Sequence, residues 1–239
     1  IVEGITEWLP ISSTGHLILV ERLIPFQETS EGFFDMFDVV IQLGAILAVV
    51  VLFWNKIWPF YMKKNQQTKK GGIVRSKKDF TVGNVALSMD AFWMWVKIVV
   101  ACIPAVVYGL LFDDAVSEAF KKEIGTSGVT VQVIVVAVML VLVGVLFIVI
   151  ENWNKNRVPT TTTLSQLTYR DVLIIGFCQL VAAALPGTSR SGATILGAIM
   201  IGISRTVAAE FTFFLAIPVM FGASLLKVLK FGFAFTDRK

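Results

Sequence analysis

The chain has 239 residues, of which 56% are hydrophobic and only 16% are charged. A soluble domain carries about 25% charged residues, so this composition, with a mean hydropathy of +0.77, excludes an ordinary soluble protein. The net charge of +4 does not indicate a nucleic-acid partner, because eight Lys and Arg residues lie in the single segment 55–90. Such clustering is typical of the cytoplasmic side of a membrane protein. The sequence therefore predicts a polytopic membrane protein that does not bind nucleic acid.

The first sixteen residues place two carboxylates, a run of three hydroxyls and the only histidine in an apolar context. They read Ile-Val-Glu-Gly-Ile-Thr-Glu-Trp-Leu-Pro-Ile-Ser-Ser-Thr-Gly-His. Residues 1–9 are predicted to be helical, and the helix ends there because Pro10 disfavours helical backbone at the residue before it. The three hydroxyls then offer N-caps for a short apolar helix over 17–24. A loop is expected over 25–34.

Four longer apolar segments are predicted to span the membrane, since about 20 apolar residues cross a bilayer. They cover residues 37–54, 91–112, 129–150 and 211–226. The basic segment 55–90 is cytoplasmic by the positive-inside rule. Residues 113–128 are acidic on balance and are expected on the outer side, whereas 151–170 form a cytoplasmic connector.

Two further apolar segments are too short to cross. Residues 172–185 form only about 21 Å of helix, against a hydrocarbon core of about 30 Å, and residues 193–204 are shorter still. They flank a second polar stretch, Pro-Gly-Thr-Ser-Arg-Ser-Gly-Ala-Thr, at residues 186–194. This order predicts a re-entrant hairpin, which enters the membrane and returns to the same side.

The two polar stretches indicate an internal repeat. Superimposing Pro10 on Pro186 aligns Glu3 with Gln179, Ser12 with Thr188, Ser13 with Ser189 and Ile41 with Ile217. The predicted fold is all-α, a polytopic membrane protein with two inverted repeats, each a re-entrant helix hairpin plus transmembrane helices. The repeats cover 1–112 and 129–239 of a single integral membrane domain, 1–239. In such folds the binding site lies near the bilayer midplane between broken helices.

Glu3 and Glu7 form the first candidate site. Because they are four residues apart, their carboxylates share one helix face. Two carboxylates with water suit Mg²⁺ or Ca²⁺ that bridges to a substrate phosphate. The alternative is that both are interfacial acids with no ligand.

Ser13 and His16 form the second candidate. A lone histidine on an apolar helix is usually structural, but His16 follows three hydroxyls at a helix start, which favours a general acid/base or nucleophilic role. Ser13 lies three residues before it, near enough on a turn to be activated.

Arg190 is the most informative single residue. An arginine at membrane depth costs about 2.5–3.5 kcal/mol, and its planar fork suits phosphate oxygens. Gly187 and Gly192 allow the backbone to approach closely, and the following helix N-terminus favours an anion. The neighbouring hydroxyls that add donors are Thr188, Ser189 and Ser191. The alternative is a structural ion pair with Glu3 or Glu7.

Both polar stretches resemble the two signature motifs of bacterial undecaprenyl-diphosphate phosphatases, also called the bacitracin-resistance family. The likeness extends over nearly the whole chain. It implies a hydrolase of the bacterial inner membrane that removes the terminal phosphate of undecaprenyl diphosphate and leaves the monophosphate lipid that carries cell-wall precursors. It also implies a site that opens to the outer face, a homodimer, and a divalent cation, Mg²⁺ or Ca²⁺.

The same resemblance implies residue roles. Glu3 and Glu7 would hold the metal. The catalytic group would comprise Ser13, His16, Glu7 and Arg190. The substrate phosphates would be bound by Ser12, Thr14, Gly187, Ser189, Arg190, Ser191 and Thr194. Ile1 opens within the first motif, so further segments of the protein are expected beyond both ends.

Two other functions remain open from the residues. Inverted repeats and paired half-helices are also typical of transporters, so a transporter or flippase of a phosphorylated polyprenyl lipid is the main alternative. A transporter has little use for a serine–histidine pair beside two metal-type carboxylates. A purely structural membrane subunit leaves the buried charges unexplained.

Overall fold

A computed structural model describes residues 1–23, 33–62, 80–82, 84–111, 129–185 and 187–236. The predicted outer loop 113–128, most of the predicted loop 25–34 and most of the lysine-rich segment lie outside the described residues. The described part of the chain is mostly helical, as the sequence predicts.

The helices are numbered along the chain. They are α1 (Val2–Thr6), α2 (Ser13–Leu23), α3 (Phe33–Leu52), α4 (Trp54–Ile57), α5 (Met89–Leu111), α6 (Val129–Asn154), α7 (Tyr169–Ala184), α8 (Arg190–Met200) and α9 (Arg205–Thr236). A 3₁₀ turn, Leu164–Gln166, precedes α7.

Three helices in the described part are long and apolar enough to cross a membrane. The crossing segments are Met89–Gly109 in α5, Val133–Asn154 in α6 and Arg205–Leu226 in α9. At 1.5 Å per residue, 21 or 22 residues reach about 32 Å, the thickness of a hydrocarbon core. The chain is therefore a membrane protein. The predicted first span, 37–54, appears as the C-terminal part of α3, whose apolar portion, Val40–Leu52, is shorter.

The outward faces of the crossing helices are apolar. On α6 the exposed side chains include Val138, Val141 and Val145, and on α5 they include Val99 and Ile103. Continuous exposed apolar surface of this kind marks contact with a membrane. The buried core lies on the opposite faces, and its largest fully buried side chains are Phe211, Phe214, Ile98, Ile175 and Leu215.

The segment expected to be only a polar cytoplasmic loop contains a small sheet. Strands β1 (Phe60–Met62), β2 (Phe80–Val82) and β3 (Val85–Leu87) form an antiparallel sheet in the order β1-β3-β2. Each strand carries β-branched or aromatic side chains, which suit a pleated surface. The all-α prediction was wrong for this segment, because three-residue strands are too short to give a periodic signal.

Neither helix beside the second polar turn is long enough to cross the membrane. Helix α7 has 16 residues and α8 has 11, about 24 and 17 Å at 1.5 Å per residue. Helix α7 begins at a capping box, in which Thr168 and Asp171 bond to each other's backbone N–H, the expected device at a helix start. Helix α8 continues through a turn into α9.

The backbones of α5 and α7 touch at Gly176. A Cβ atom at this position would overlap the carbonyl oxygen of Ala101. Because backbone cannot move aside as a flexible side chain can, the site requires glycine.

Gly176→Ala should therefore destabilise the fold by about 1–3 kcal/mol, the usual cost of overpacking, and thermal unfolding in detergent should show a lower midpoint. Gly144→Ala in α6 is the matched control, since a Cβ there meets nothing within 4 Å. Equal midpoints for the two variants would contradict the close approach of α5 and α7.

Candidate active site

The first polar turn joins α1 to α2 and is held by its own hydroxyls. Ser12 adopts the left-handed backbone conformation, with φ of 63°, which reverses the chain just before α2. The Ser12 hydroxyl accepts a hydrogen bond from the Gly15 backbone N–H at 3.4 Å. The turn therefore places Ser13, the first residue of α2, beside the end of α1.

The second turn joins α7 to α8 and is capped in the same way. Ser189 is the N-cap of α8, and its hydroxyl accepts from the Gly192 backbone N–H at 3.0 Å. Gly187 has φ of 83°, and a Cβ there would collide with the backbone of Val136 on α6. Glycine is therefore favoured at this position for two reasons: the positive φ and the close approach of α6.

The shared cap changes the register of the expected repeat. The hydrogen bond between Ser12 and Gly15 corresponds to the one between Ser189 and Gly192. Superimposing the two prolines instead aligns Ser12 with Thr188, one residue earlier. The second turn holds one more residue between its proline and its capping serine. Between the two turns, Ser12 is therefore equivalent in hydrogen bonding to Ser189.

An ion pair joins the two turns. The Arg190 guanidinium donates from Nη2 to Glu7 Oε1 at 2.6 Å, across 183 residues of sequence. The Ser13 hydroxyl donates to the other oxygen, Glu7 Oε2, also at 2.6 Å. Both charged side chains are largely withdrawn from solvent, at 20% exposed for Arg190 and 14% for Glu7. The structural pairing weighed as an alternative for Arg190 is thus present.

A cavity of about 200 Å³ lies between the two turns. Most of the candidate residues line it: Glu7, Ser12, Ser13, Thr14, Ser189, Arg190 and Ser191. Thr188 also lines it, and its buried hydroxyl has no hydrogen-bond partner within the part of the chain that the structure describes. With Thr6 of α1 included, the cavity therefore brings one guanidinium, one carboxylate and seven hydroxyl-bearing side chains to a single place.

His16 and Thr194 do not line this cavity. The His16 ring bonds from Nδ1 to the Ser12 carbonyl at 2.8 Å. Because a carbonyl only accepts, Nδ1 carries the proton, and Nε2 presents its lone pair when the ring is neutral. The expected Ser13–His16 contact is replaced by the bond from Ser13 to Glu7.

The Thr194 hydroxyl is turned towards its own helix. It donates to the carbonyl oxygens of Arg190 at 2.9 Å and Ser191 at 3.1 Å. It accepts a bond from the Thr212 hydroxyl of α9 at 3.0 Å. Thr194 and Thr212 therefore fix the first turn of α8, from which Arg190 projects.

Glu3 lies on α1 and is not part of the cavity lining. It is 4% exposed, and no hydrogen-bond partner for its Oε1 atom lies among the described residues. Within the described residues, no three His, Cys, Asp or Glu side chains are grouped to hold a metal. Mg²⁺, however, is usually bound by one or two carboxylates together with substrate phosphates. A buried carboxylate oxygen without a partner, one helix turn from Glu7, therefore fits a cation shared with a phosphorylated ligand.

Sequence reasoning missed two residues that complete the site. Gln42 on α3 is buried and lines the cavity, and Thr212 positions Thr194. Each is a polar residue within an apolar helix, and that isolation is the signal that could have found it. Trp8, in the first turn, packs edge-on against Phe213 of α9, with ring centroids 5.4 Å apart.

The fold and the site define a class: a helical membrane protein in which two distant polar turns enclose one charged, hydroxyl-rich cavity. The family model described as "Bacitracin resistance protein BacA" matches residues 1–238. The chain belongs to this family.

Curated relatives agree over almost the full chain. A protein of Enterococcus faecalis named undecaprenyl-diphosphatase is 52% identical over 237 residues, which cover 99% of this chain and 75% of the relative. One of the same name from Desulfitobacterium hafniense is 54% identical over 236 residues, 99% of this chain and 74% of the relative. A third, from Streptococcus mutans serotype c, is 47% identical over 232 residues, which cover 97% of this chain and 72% of the relative.

The hydrogen bond from Thr212 to Thr194 gives a prediction for the site. Thr212→Val keeps the side-chain shape and removes the donor, so the first turn of α8 should loosen, and the thermal midpoint in detergent should fall by the equivalent of about 1 kcal/mol. Thr206→Val, at an exposed position on the same helix, is the control. If both variants unfold at the wild-type temperature, Thr212 does not position this turn.

Proposed function

We propose that this chain is an undecaprenyl-diphosphatase, which hydrolyses the terminal phosphate of a polyprenyl diphosphate and leaves the monophosphate lipid for cell-wall synthesis. The names of the relatives support this activity. The single observation that carries it is the cavity between the turns, which is lined by Arg190, Glu7 and seven hydroxyl-bearing side chains. A diphosphate needs a cation and several donors, and a phosphatase also needs a nucleophile beside a base.

Arg190 is the phosphate clamp of this proposal. In the structure its guanidinium bonds to Glu7, and a terminal phosphate that entered the cavity would compete for the same donors. The hydroxyls of Ser12, Thr14, Ser189 and Ser191 add further donors from the lining. The N-terminus of α8 favours negative charge at this end of the cavity. The role implied for Thr194 is one of positioning, since its hydroxyl bonds to the backbone of its own helix.

Ser13 is the nucleophile that the contacts favour. Its hydroxyl lines the cavity and donates to Glu7 Oε2 at 2.6 Å, and in this proposal Glu7 would receive its proton. Ser13 Oγ would then bond to the terminal phosphorus, the anhydride P–O bond would break, and the monophosphate lipid would leave. Water would release inorganic phosphate from the serine and restore its hydroxyl. Positioning and charge stabilisation supply most of the rate in such transfers.

His16 is the alternative nucleophile or the second acid/base group. The bond from Nδ1 to the Ser12 carbonyl orients the ring and leaves Nε2 as the reactive nitrogen. A ring held in this way can accept a proton at Nε2 from the attacking water in the second step.

Glu3 and Glu7 are the proposed holders of a divalent cation, Mg²⁺ or Ca²⁺. A bound cation would neutralise phosphate charge and polarise the phosphoryl oxygens. The unpartnered Glu3 oxygen supports this assignment. Both oxygens of Glu7 accept hydrogen bonds, and each keeps a second lone pair.

We also propose the internal repeats, the membrane that holds the chain and its oligomeric state. The matching Ser–Gly caps and the two short helices after the polar turns support two inverted repeats with re-entrant hairpins. With a lipid diphosphate as substrate, the chain belongs in the bacterial inner membrane, with its site towards the outer face. A homodimer is proposed from the family resemblance.

The direct test is release of inorganic phosphate from a polyprenyl diphosphate in detergent. Arg190→Ala should lower the rate by about 10²-fold or more, as for the loss of a charge-stabilising donor. Arg205→Ala is the matched control, because that arginine forms an exposed pair with Glu151 and should retain the wild-type rate. Near-wild-type turnover in Arg190→Ala would contradict the assignment, and no phosphate release by the wild-type protein would favour the transporter.

The metal assignment has a test that does not depend on turnover. Adding Mg²⁺ or Ca²⁺ should raise the thermal midpoint of the wild-type protein, since a ligand stabilises the state that binds it. Glu3→Gln should abolish the shift, whereas Glu151→Gln, at a partly exposed carboxylate, should keep it. A wild-type shift that persists in Glu3→Gln would exclude Glu3 as a ligand.

A further inference from the structure

A second and larger cavity lies away from the active site. It encloses about 800 Å³ between the start of α5, the start of α9 and the connector before α7. It shares no lining residue with the cavity between the polar turns. Lys56 and Asp90, which lie at the two ends of the lysine-rich segment 55–90, both line it. The cavity therefore opens at the side that the charge distribution assigns to the cytoplasm.

The lining is amphipathic. One wall is apolar and includes Trp93, Met94 and Val207. The other side carries hydroxyls from the connector, among them Thr163 and Ser165. Indole side chains at the end of a membrane-crossing helix lie at the level of the lipid headgroups, and Trp93 is 47% exposed. These features place the cavity in the interfacial layer of the bilayer.

The charges of the lining balance. Two cations, Lys56 and Lys97, face two anions, Asp90 and Glu210. Lys56 and Glu210 bond to each other at 2.5 Å, so they neutralise one another. Lys97 and Asp90 are the two remaining charges of the lining. Behind the lining, the Asp171 carboxylate of α7 also attracts Lys97, and the Lys97 ammonium donates to the Ser165 carbonyl at 3.1 Å. A balanced lining of this kind suits a ligand with one positive and one negative group.

The order of these two charges matches a phospholipid. Lys97 follows Asp90 by seven residues on α5, so it lies two turns, about 10 Å, further into the membrane on the same helix face. In a zwitterionic headgroup the phosphate is likewise deeper than the ammonium, because it is attached to the glycerol.

We propose that this cavity binds the headgroup of a zwitterionic glycerophospholipid, with its phosphodiester against Lys97 and its primary ammonium against Asp90. The site would fix a lipid between α5, α9 and the connector on the side opposite the outer face. It is independent of the phosphatase reaction, since none of its residues belongs to the catalytic cavity.

The test is binding of defined lipids to the purified chain in detergent, measured by native mass spectrometry. Wild-type protein should retain phosphatidylethanolamine in preference to phosphatidylglycerol. Lys97→Met should lower the affinity for both lipids by about tenfold, as expected for one charge-assisted hydrogen bond, and Lys97→Arg should restore it. Lys155→Met, at an exposed lysine after α6, is the matched control and should bind as the wild type does.

Asp90→Asn tests the second half of the proposal. It should remove the preference for phosphatidylethanolamine without weakening the binding of phosphatidylglycerol. Thermal unfolding of each variant verifies that it is folded before lipid is added. The proposal is overturned if the wild type shows no preference or prefers phosphatidylglycerol, or if folded Lys97→Met and Lys155→Met bind phosphatidylethanolamine equally.

Discussion

The contact between Glu7 and Arg190 is the constraint on which the site depends. It joins the two turns through residues that are 183 apart in sequence, and both side chains are largely withdrawn from solvent. Breaking such a pair by removing one partner leaves the other charge uncompensated, which is strongly destabilising in a low-dielectric setting. Under the proposed function, Arg190 is also the group that a diphosphate would engage. One contact therefore holds the two turns together and pairs the guanidinium with an internal carboxylate.

The surrounding structure holds this contact in place. Thr212 of α9 bonds to Thr194, which bonds to the carbonyl of Arg190, so the guanidinium projects from a braced helix end. Trp8 packs on Phe213, which ties the first turn to the same long helix. A buried polar network makes a site rigid only when each of its polar atoms has a hydrogen-bond partner. Among the described residues, Glu3 Oε1 and Thr188 Oγ1 have no hydrogen-bond partner, and the proposed cation and phosphate would supply one for each.

The sequence predicted the class of protein, and most of the candidate residues that it named line one cavity. Long apolar runs fixed the membrane character, and Arg190 with Glu7 stood out because charges are costly among apolar helices. What it could not predict were contacts set by the tertiary fold. Ser13 is three residues from His16 in sequence but bonds to Glu7, because the left-handed Ser12 turns the start of α2 back onto α1. Thr194 lies in the second motif, yet its hydroxyl faces its own helix.

The central claim is that Glu7 and Arg190 act as one unit between the two turns, and a double-mutant cycle on their stability measures it most directly. The free energies of unfolding of Glu7→Gln, Arg190→Gln and the double variant would be compared in mixed micelles. If the two side chains are in contact, the double variant should lose less free energy of unfolding than the two single variants lose together. The expected coupling energy is about 1–3 kcal/mol. Losses that simply add would mean that the two turns do not meet through this pair, and the account of the site would be wrong.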